Sequence, residues 1–323
     1  FNLKLTSISN SNSLFSIKNV KKTVRLMLKE KYINFISAPD DSINLGKSVE
    51  LNLNDKVNIF WGDESIGFLK KGRNIFSPEV ETINSDLLDS ENKKIINNKL
   101  QKWIDQKIST SLKPIKDDLE QTTSSNVRKI TFNLFNSLGT MEIKEYQDEI
   151  KNLTQEERLS VSKLGIRLGA KYLFMPNLLK KNAIELNALL WKVFYESDIP
   201  NKYPLPSDGR VSFFCKIKIP KTYWNAIGYI LVKNFALRVD VFEKVFFLAR
   251  QKIKFGPFIE SSDLMNPMGC NAEDLSNILY YCGFDNFSLG NQKKLFFIIQ
   301  KKSSKYEFKI KTNKKKKEQK ITK

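Results

Sequence analysis

Residues 164–191 read LGIRLGAKYLFMPNLLKKNAIELNALLW, and three local signals follow one another within those 28 positions. Gly165 is a helix stop, because a residue without Cβ enters the left-handed conformation at little cost. Ala170–Met175 is a short apolar run of strand length. Pro176 or Asn177 then opens a helix. Leu179, Ile184, Leu186, Leu190, Val193 and Phe194 fall near one side of it, while Lys180, Lys181 and Lys192 point elsewhere. Helix stop, strand and amphipathic helix in succession predict an α+β chain that is mainly helical.

Upstream of this block, Thr154-Gln-Glu-Glu157 has the capping-box pattern, in which the Thr oxygen and the Glu carboxylate each satisfy an orphan amide. It predicts a helix running to Leu164. From Ser90 to Leu153 the chain reads as helical. Ser90 is placed as N-cap of a helix whose apolar positions Ile96, Leu100, Trp103, Ile104, Ile108 and Leu112 keep the 3.6 period, with Pro114 ending or kinking it. A second helix covers Asn126–Leu138 and stops at Gly139, and a third spans Glu142–Leu153. Val57–Val80 has the signal of a β-hairpin or meander, with turns at Gly62-Asp63-Glu64 and Lys71-Gly72-Arg73. Before it, Val20–Phe35 suits a basic helix closed by a turn at Ala38-Pro39-Asp40-Asp41.

Downstream, Pro200, Pro204, Pro206 and Gly209 mark a linker loop. Strand Val211–Ile217 and helix Ala236–Lys252 follow, then a short helix at Ser261–Met268. Helix Ala272–Cys282 has Asn271 as N-cap and Gly283 as left-handed stop. Two strands are expected in Phe287–Ile299 around Gly290-Asn291. That order is the order of a winged helix, although the last helix, AEDLSNILYYCGF, is acidic where a groove-reading helix is basic. The expected organisation is an N-terminal segment (1–55), truncated, a β-hairpin region (56–82), a bundle-like helical domain (83–199), the linker loop (200–210), a winged-helix-like α+β unit (211–300) and a disordered Lys-rich tail (301–323). The chain opens on Phe1 rather than Met, as a fragment or processed product would.

The formal charge is +19, of which residues 301–323 supply +9 from eleven Lys and two Glu, leaving +10 for the first 300 residues. A basic balance favours polyanions such as RNA or DNA through counterion release from phosphates. For the tail, and for its run Lys314, Lys315, Lys316 and Lys317, nucleic-acid contact and a merely solubilising bias both stand. No apolar run reaches the roughly 18 residues of a membrane span, and no signal peptide is visible, so a cytoplasmic protein is expected. Three cysteines form neither a metal pattern nor a disulfide framework and suit a reducing compartment. The sequence contains no histidine. Ser-His-Asp and Cys-His nucleophile systems and imidazole-ligated zinc sites are thereby excluded from this stretch.

No motif supplies catalytic residues. Asp41–Ser48 ends in Gly46-Lys47-Ser48 but places Asp where the first Gly of a phosphate loop belongs, and a turn is the better reading. Acid pairs at Asp40/Asp41, Asp63/Glu64, Asp117/Asp118 and Glu156/Glu157 fall in turns or near helix starts, where solvated acids are common. The tryptophans at 61, 103, 191 and 224 read as core rather than as stacking platforms. Arg167, Lys171, Lys180, Lys181 and Arg238 are the candidates for phosphate contact. Against that, Arg167, Lys171 and Arg238 are more simply read as covering apolar surface or pairing with a neighbouring acid, such as Asp240 for Arg238.

Three blocks, Leu164–Trp191, IGYILVKNFALRVDVFEKVFFLAR at Ile227–Arg250 and LMNPMGCNAEDLSNILYYCGF at Leu264–Phe284, together resemble the C-terminal accessory region of alphaproteobacterial superfamily-2 DExH helicases related to the mitochondrial RNA-degradosome helicase. The resemblance covers roughly residues 50–290, including VNIFWGDESIGFL and the helical run after it. It implies a parent protein that unwinds RNA or DNA with ATP and Mg. This chain has neither Walker A nor DExH motif, so it is expected to hold no cofactor, to be inactive alone, and to bind nucleic acid or a partner beside helicase core domains of the same polypeptide. A stand-alone structural or protein-interaction module is the alternative. An enzyme working through carboxylates and Lys is a third reading.

Overall fold

Lys99 shows how the first part of the chain is tied together. Its ammonium donates to the carbonyl oxygens of Phe35, Ile36 and Ala38 at 2.8, 2.9 and 2.6 Å. These are the carbonyls that the end of helix α1 (Leu14–Ser37) leaves without intrahelical partners, and a cation there also opposes the helix dipole favourably. In this computed structural model the described residues are 14–46, 56–83, 90–119, 124–195, 204–207, 209–288 and 294–297.

After α1 come strands β1 (Ile43–Leu45), β2 (Val57–Trp61), β3 (Glu64–Lys70) and β4 (Glu79–Thr82), an antiparallel sheet in that order. Val57 and Ile59 face the core from β2, with Asn58 and Phe60 less buried, the period-2 alternation expected of a half-buried strand. Helix α2 (Ser90–Leu119) crosses β4. Its Gln101 amide accepts the Val80 N–H and donates to the Pro78 carbonyl, both at 3.0 Å, so a side chain completes the edge strand. Ile96, Leu100, Trp103, Ile104 and Ile108 are buried along one face. The helix runs on through Pro114 instead of ending there. Ser90 lies inside the first turn of α2, one position later than an N-cap.

Helix α3 (Ser125–Asn136) is capped by the Ser124 hydroxyl and ends before Leu138 and Gly139, both at positive φ. At Gly139 a Cβ would stand 2.3 Å from Leu178 Cδ1, so the close approach as well as the φ requires glycine. Strand β5 (Thr140–Glu142) follows, then a 3-10 turn and the short helix α4 (Gln147–Lys151), where a single longer helix was expected. Helix α5 (Gln155–Lys163) begins in the expected capping box. Glu157 N–H donates to Thr154 Oγ1 at 3.2 Å, and Thr154 N–H donates to Glu157 Oε2 at 2.8 Å. Gly165 takes φ +74 just after the helix. Strands β6 (Arg167–Leu168) and β7 (Tyr172–Phe174) complete a three-stranded antiparallel sheet in the order β5-β7-β6.

Helix α6 (Lys181–Tyr195) is central. Ala183, Ile184 and all of Leu186–Val193 are buried, and the helix packs against α2, β3 and α7 (Lys221–Ala226). Its exposed stripe is therefore narrower than the sequence pattern predicts. Lys192, expected to point away from the apolar side, is 6% exposed. Packing on several sides of one helix leaves little surface for a polar face.

Strand β8 (Ser212–Phe214) and the hairpin of β9 (Tyr229–Val232) and β10 (Phe235–Arg238) form a sheet ordered β8-β10-β9. Ala236–Arg238, expected as the first turn of a helix, is the central strand of this sheet, because the Lys233-Asn234 turn folds it back on β9. Helix α8 starts only at Val239 and runs to Lys252.

The chain divides into two compact units, Phe1–Glu243 and Lys244–Lys323. The division falls within α8, whereas the expected linker at 200–210 is described only at 204–207, 209 and 210. In the second unit, β11 (Phe258–Ile259), α9 (Ser262–Met265), α10 (Ala272–Tyr281), β12 (Asp285–Ser288) and β13 (Lys294–Phe297) follow, with an antiparallel sheet ordered β11-β13-β12. Asn271 caps α10 by accepting the Asp274 N–H at 2.8 Å, and Gly283 closes it at φ +94. Phe246, Phe258, Phe284 and Phe296 form an aromatic core, with ring centroids 5.7–6.3 Å apart. The architecture is α+β with several small antiparallel sheets.

Candidate nucleic-acid interface

One turn of α2 places Lys107, Thr110 and Ser111 on a common face, because positions three and four apart are neighbours on a helix. Across from them is the start of α6. The Pro176–Leu179 turn delivers Asn177 and Lys180 to that point, and the helix itself begins with Lys181 and Asn182. Two adjoining cavities open between these elements. One, of about 590 Å³, is lined by Thr110, Ser111, Asn177, Lys180, Lys181, Asn182 and Ala183. The other, of about 820 Å³, shares Ser111, Lys181 and Asn182 and adds Lys107, the end of β1 at Asn44–Gly46, Glu185, Leu186 and Leu189 of α6, and Leu205–Ser207. A smaller cavity of about 130 Å³ continues past Lys181 and Glu185 to Arg210, Tyr229 and Arg238.

Among the described residues the walls of the two larger cavities carry three cations and one acid, Lys107, Lys180 and Lys181 against Glu185. The first turn of α6 contains no acidic residue, so its N-terminal dipole adds positive potential that no side chain of that turn offsets. Lys107 is half-buried, with its ammonium 5.0 Å from the Trp103 ring centroid. Burial holds its pKa below the usual lysine value. An anion entering the cleft would restore the lost stabilisation of that charge.

Of the sequence-predicted residues, Lys180 and Lys181 come together here. Arg238 lies in the adjoining small cavity but is committed elsewhere. Its Nε and Nη2 donate to the two carboxylate oxygens of Asp240 at 2.7 and 2.9 Å, and that hydrogen-bonded pairing raises its pKa. The pairing reading preferred from the sequence therefore holds for Arg238. Arg167 is exposed on β6 and is not among the residues lining these cavities. Lys171 has a half-buried side chain. Its backbone N–H donates to Glu243 at 2.8 Å, and its carbonyl accepts from Ile143 N–H. Lys314, Lys315, Lys316 and Lys317 lie outside the described residues. Sequence reasoning missed Lys107 and Arg210, since nothing local to either indicates that a cleft will form beside it.

The remaining candidates take structural roles. Asp41 lies in a 3-10 turn and residues 43–45 form β1 paired with β2, so a paired strand occupies the part of the GKS-like stretch where a phosphate loop would have an open loop. Lys47 and Ser48 lie outside the described residues. Glu64 pairs with Lys31, whose hydrogen bond lowers its pKa. Glu157 belongs to the capping box, and the side chains of Asp117 and Asp118 lie outside the described residues. Trp103, Trp191 and Trp224 are buried, and Trp61 packs edge-on against Phe35. Cys215 and Cys282 are buried, and burial pushes the Cys270 thiol up to about 11. Among the described residues no group of acidic or cysteine side chains could hold a metal ion, and no helix is long and apolar enough to cross a membrane.

No family model, curated protein or solved structure matches the chain.

Proposed function

We infer that this chain is a nucleic-acid-binding accessory region of an ATP-dependent RNA or DNA helicase, itself without catalytic residues. The observation that supports it best is the cleft between α2 and the start of α6, where Lys107, Lys180 and Lys181 meet amide and hydroxyl side chains in cavities of ligand size. The sequence blocks at Leu164–Trp191, Ile227–Arg250 and Leu264–Phe284 supply the helicase part of the reading. ATP and Mg would belong to core domains outside this sequence. Phosphate contact through lysines predicts binding that weakens steeply with salt, because each neutralised phosphate releases condensed counterions. Titrating a fluorescent oligonucleotide at 50 and 200 mM salt tests this. Binding that ignores salt, or none at 50 mM, would falsify it. The coding sequence upstream of Phe1 tests the helicase part: a GxGKT and a DExH motif there support it, and their absence counts against it.

For the second unit we favour a winged-helix-like arrangement used for packing or protein contact. Its support is the order of helices and strands, with a sheet ordered β11-β13-β12. Glu273 and Asp274 open α10, where a groove-reading helix would meet phosphate repulsion. The second reading, a structural or protein-interaction module, draws on the same unit, where the aromatic side chains of Phe247, Phe255, Tyr280 and Phe287 are exposed.

A further inference from the structure

We propose that the α2–α6 cleft grips the phosphodiester backbone of a single strand and does not read its bases. This rests on the nucleic-acid reading above and narrows it to a ligand class.

The first support is what the walls lack. Among the described residues no Phe, Tyr or Trp lines either of the two larger cavities. Proteins that hold single-stranded bases do so by stacking them on aromatic faces, each stack contributing about 1–3 kcal/mol. Here Trp103, Trp191 and Trp224 are 2–6% exposed and serve the core instead. The second support is what the walls offer. Lys107, Lys180 and Lys181 are point charges suited to phosphate, while Ser111, Asn177 and Asn182 supply the neutral donors that phosphate and sugar oxygens accept. The third is shape. Duplex grooves are entered by a protruding helix or ribbon, whereas this surface is concave, with α2 and α6 as its walls, so the ligand must enter the protein.

The test uses the full chain and four probes in fluorescence anisotropy: a base-bearing single strand, an abasic strand of equal length, the corresponding duplex, and inorganic polyphosphate as competitor. The expected result is that the abasic strand binds within about threefold of the base-bearing strand. Polyphosphate should displace both, and the duplex should bind at least tenfold more weakly. K181Q and, separately, K180Q should weaken both single strands by the same factor. A base-bearing strand that binds more than tenfold tighter than the abasic one overturns backbone-only recognition while leaving nucleic-acid binding intact. A duplex that binds as tightly as the single strand does the same. If neither strand binds at low salt, both readings fall. The wild-type comparisons test backbone-only recognition, and weaker binding by K181Q and K180Q, each shown to be folded by thermal melting, assigns it to the cleft; unchanged affinity in both folded variants overturns the proposal.

Discussion

The carboxylate of Glu243 accepts the backbone N–H of Tyr172 at 2.7 Å from across 71 positions of sequence. The same carboxylate takes the N–H groups of Ala170 and Lys171 at 2.7 and 2.8 Å. Three consecutive amides that enter β7 thus converge on one acid, which is 9% exposed. Gly169 makes the approach feasible, because a Cβ there would stand 2.5 Å from the Glu243 carboxyl carbon and 2.5 Å from the Tyr172 carbonyl. Next to this clamp, Tyr172 and Phe242 pack edge to face at 5.7 Å.

Glu243→Gln replaces one oxygen by an NH₂ group, so at least one of the three backbone donors loses its acceptor and the others lose a charged one. Hydrogen bonds to a charged group contribute about 1.5–3 kcal/mol each, so a total loss of about 3 kcal/mol is expected in urea denaturation. A loss below about 1 kcal/mol would show that the carboxylate is not holding this turn. Gly169→Ala should destabilise through the two close contacts, independently of charge.

Lys99→Met keeps the alkyl stem but removes the donor to three carbonyls at the end of α1. The expected cost is about 1–3 kcal/mol. Hydrogen exchange should be faster at the C-terminal end of α1 and little changed in α6. Unchanged protection in α1 would refute the capping role.

Glu157 links acid stability to a helix start. Hydrogen bonding by the Ser124 hydroxyl, and then by the Thr154 amide, holds its pKa below the ordinary 4.5. Its contribution is complete above that unfolded-state value and is lost as pH falls through the lower folded-state value, where the carboxylate protonates. Glu157→Gln retains a capping side chain but no titration. Its melting temperature should therefore decline less than that of the wild type between pH 5 and about pH 3. Parallel curves would show that the group does not contribute.

Lys180 and Arg238 should behave differently toward an oligonucleotide. Lys180→Ala removes a phosphate contact and should lower the slope of log affinity against log salt by about 0.7 for a single strand. Arg238 is already bound to Asp240, so Arg238→Ala should change affinity less than about twofold and cost at most about 1 kcal/mol of stability. Equal effects from the two variants would place Arg238 on the ligand.

The purified chain should neither hydrolyse ATP nor separate a duplex, since the sequence carries no phosphate-loop motif. Phosphate release measured with and without single-stranded nucleic acid checks this. Turnover that rises with nucleic acid would overturn the assignment of catalysis to other domains.

Local signals were the legible ones. The capping box at Thr154 and Glu157, the Asn271 cap, the glycine stops at Gly165 and Gly283, and the β-meander after Val57 all appear where the sequence predicts them. Each depends on groups within a few residues of one another. Two of the five individually nominated cations of the folded region, Lys180 and Lys181, line the cleft, and nothing in their own neighbourhood distinguishes them from Arg167. Strand β10 escaped notice because Ala236–Arg238 abuts a helical pattern, and only pairing with β8 and β9 makes it extended.

The sequence by itself determined the α+β composition, the capped starts at Thr154 and Asn271, the glycine stops at Gly165 and Gly283, and the absence of histidine-based chemistry, because these follow from residue type and short-range hydrogen bonding. The tertiary structure decided that Lys192 is buried, that Glu243 closes on residues 170–172, and that Lys107 faces Lys181 across a cleft. Those outcomes join positions tens of residues apart. They depend on which surfaces pack together and which charges are thereby removed from water, and no single stretch of chain encodes that.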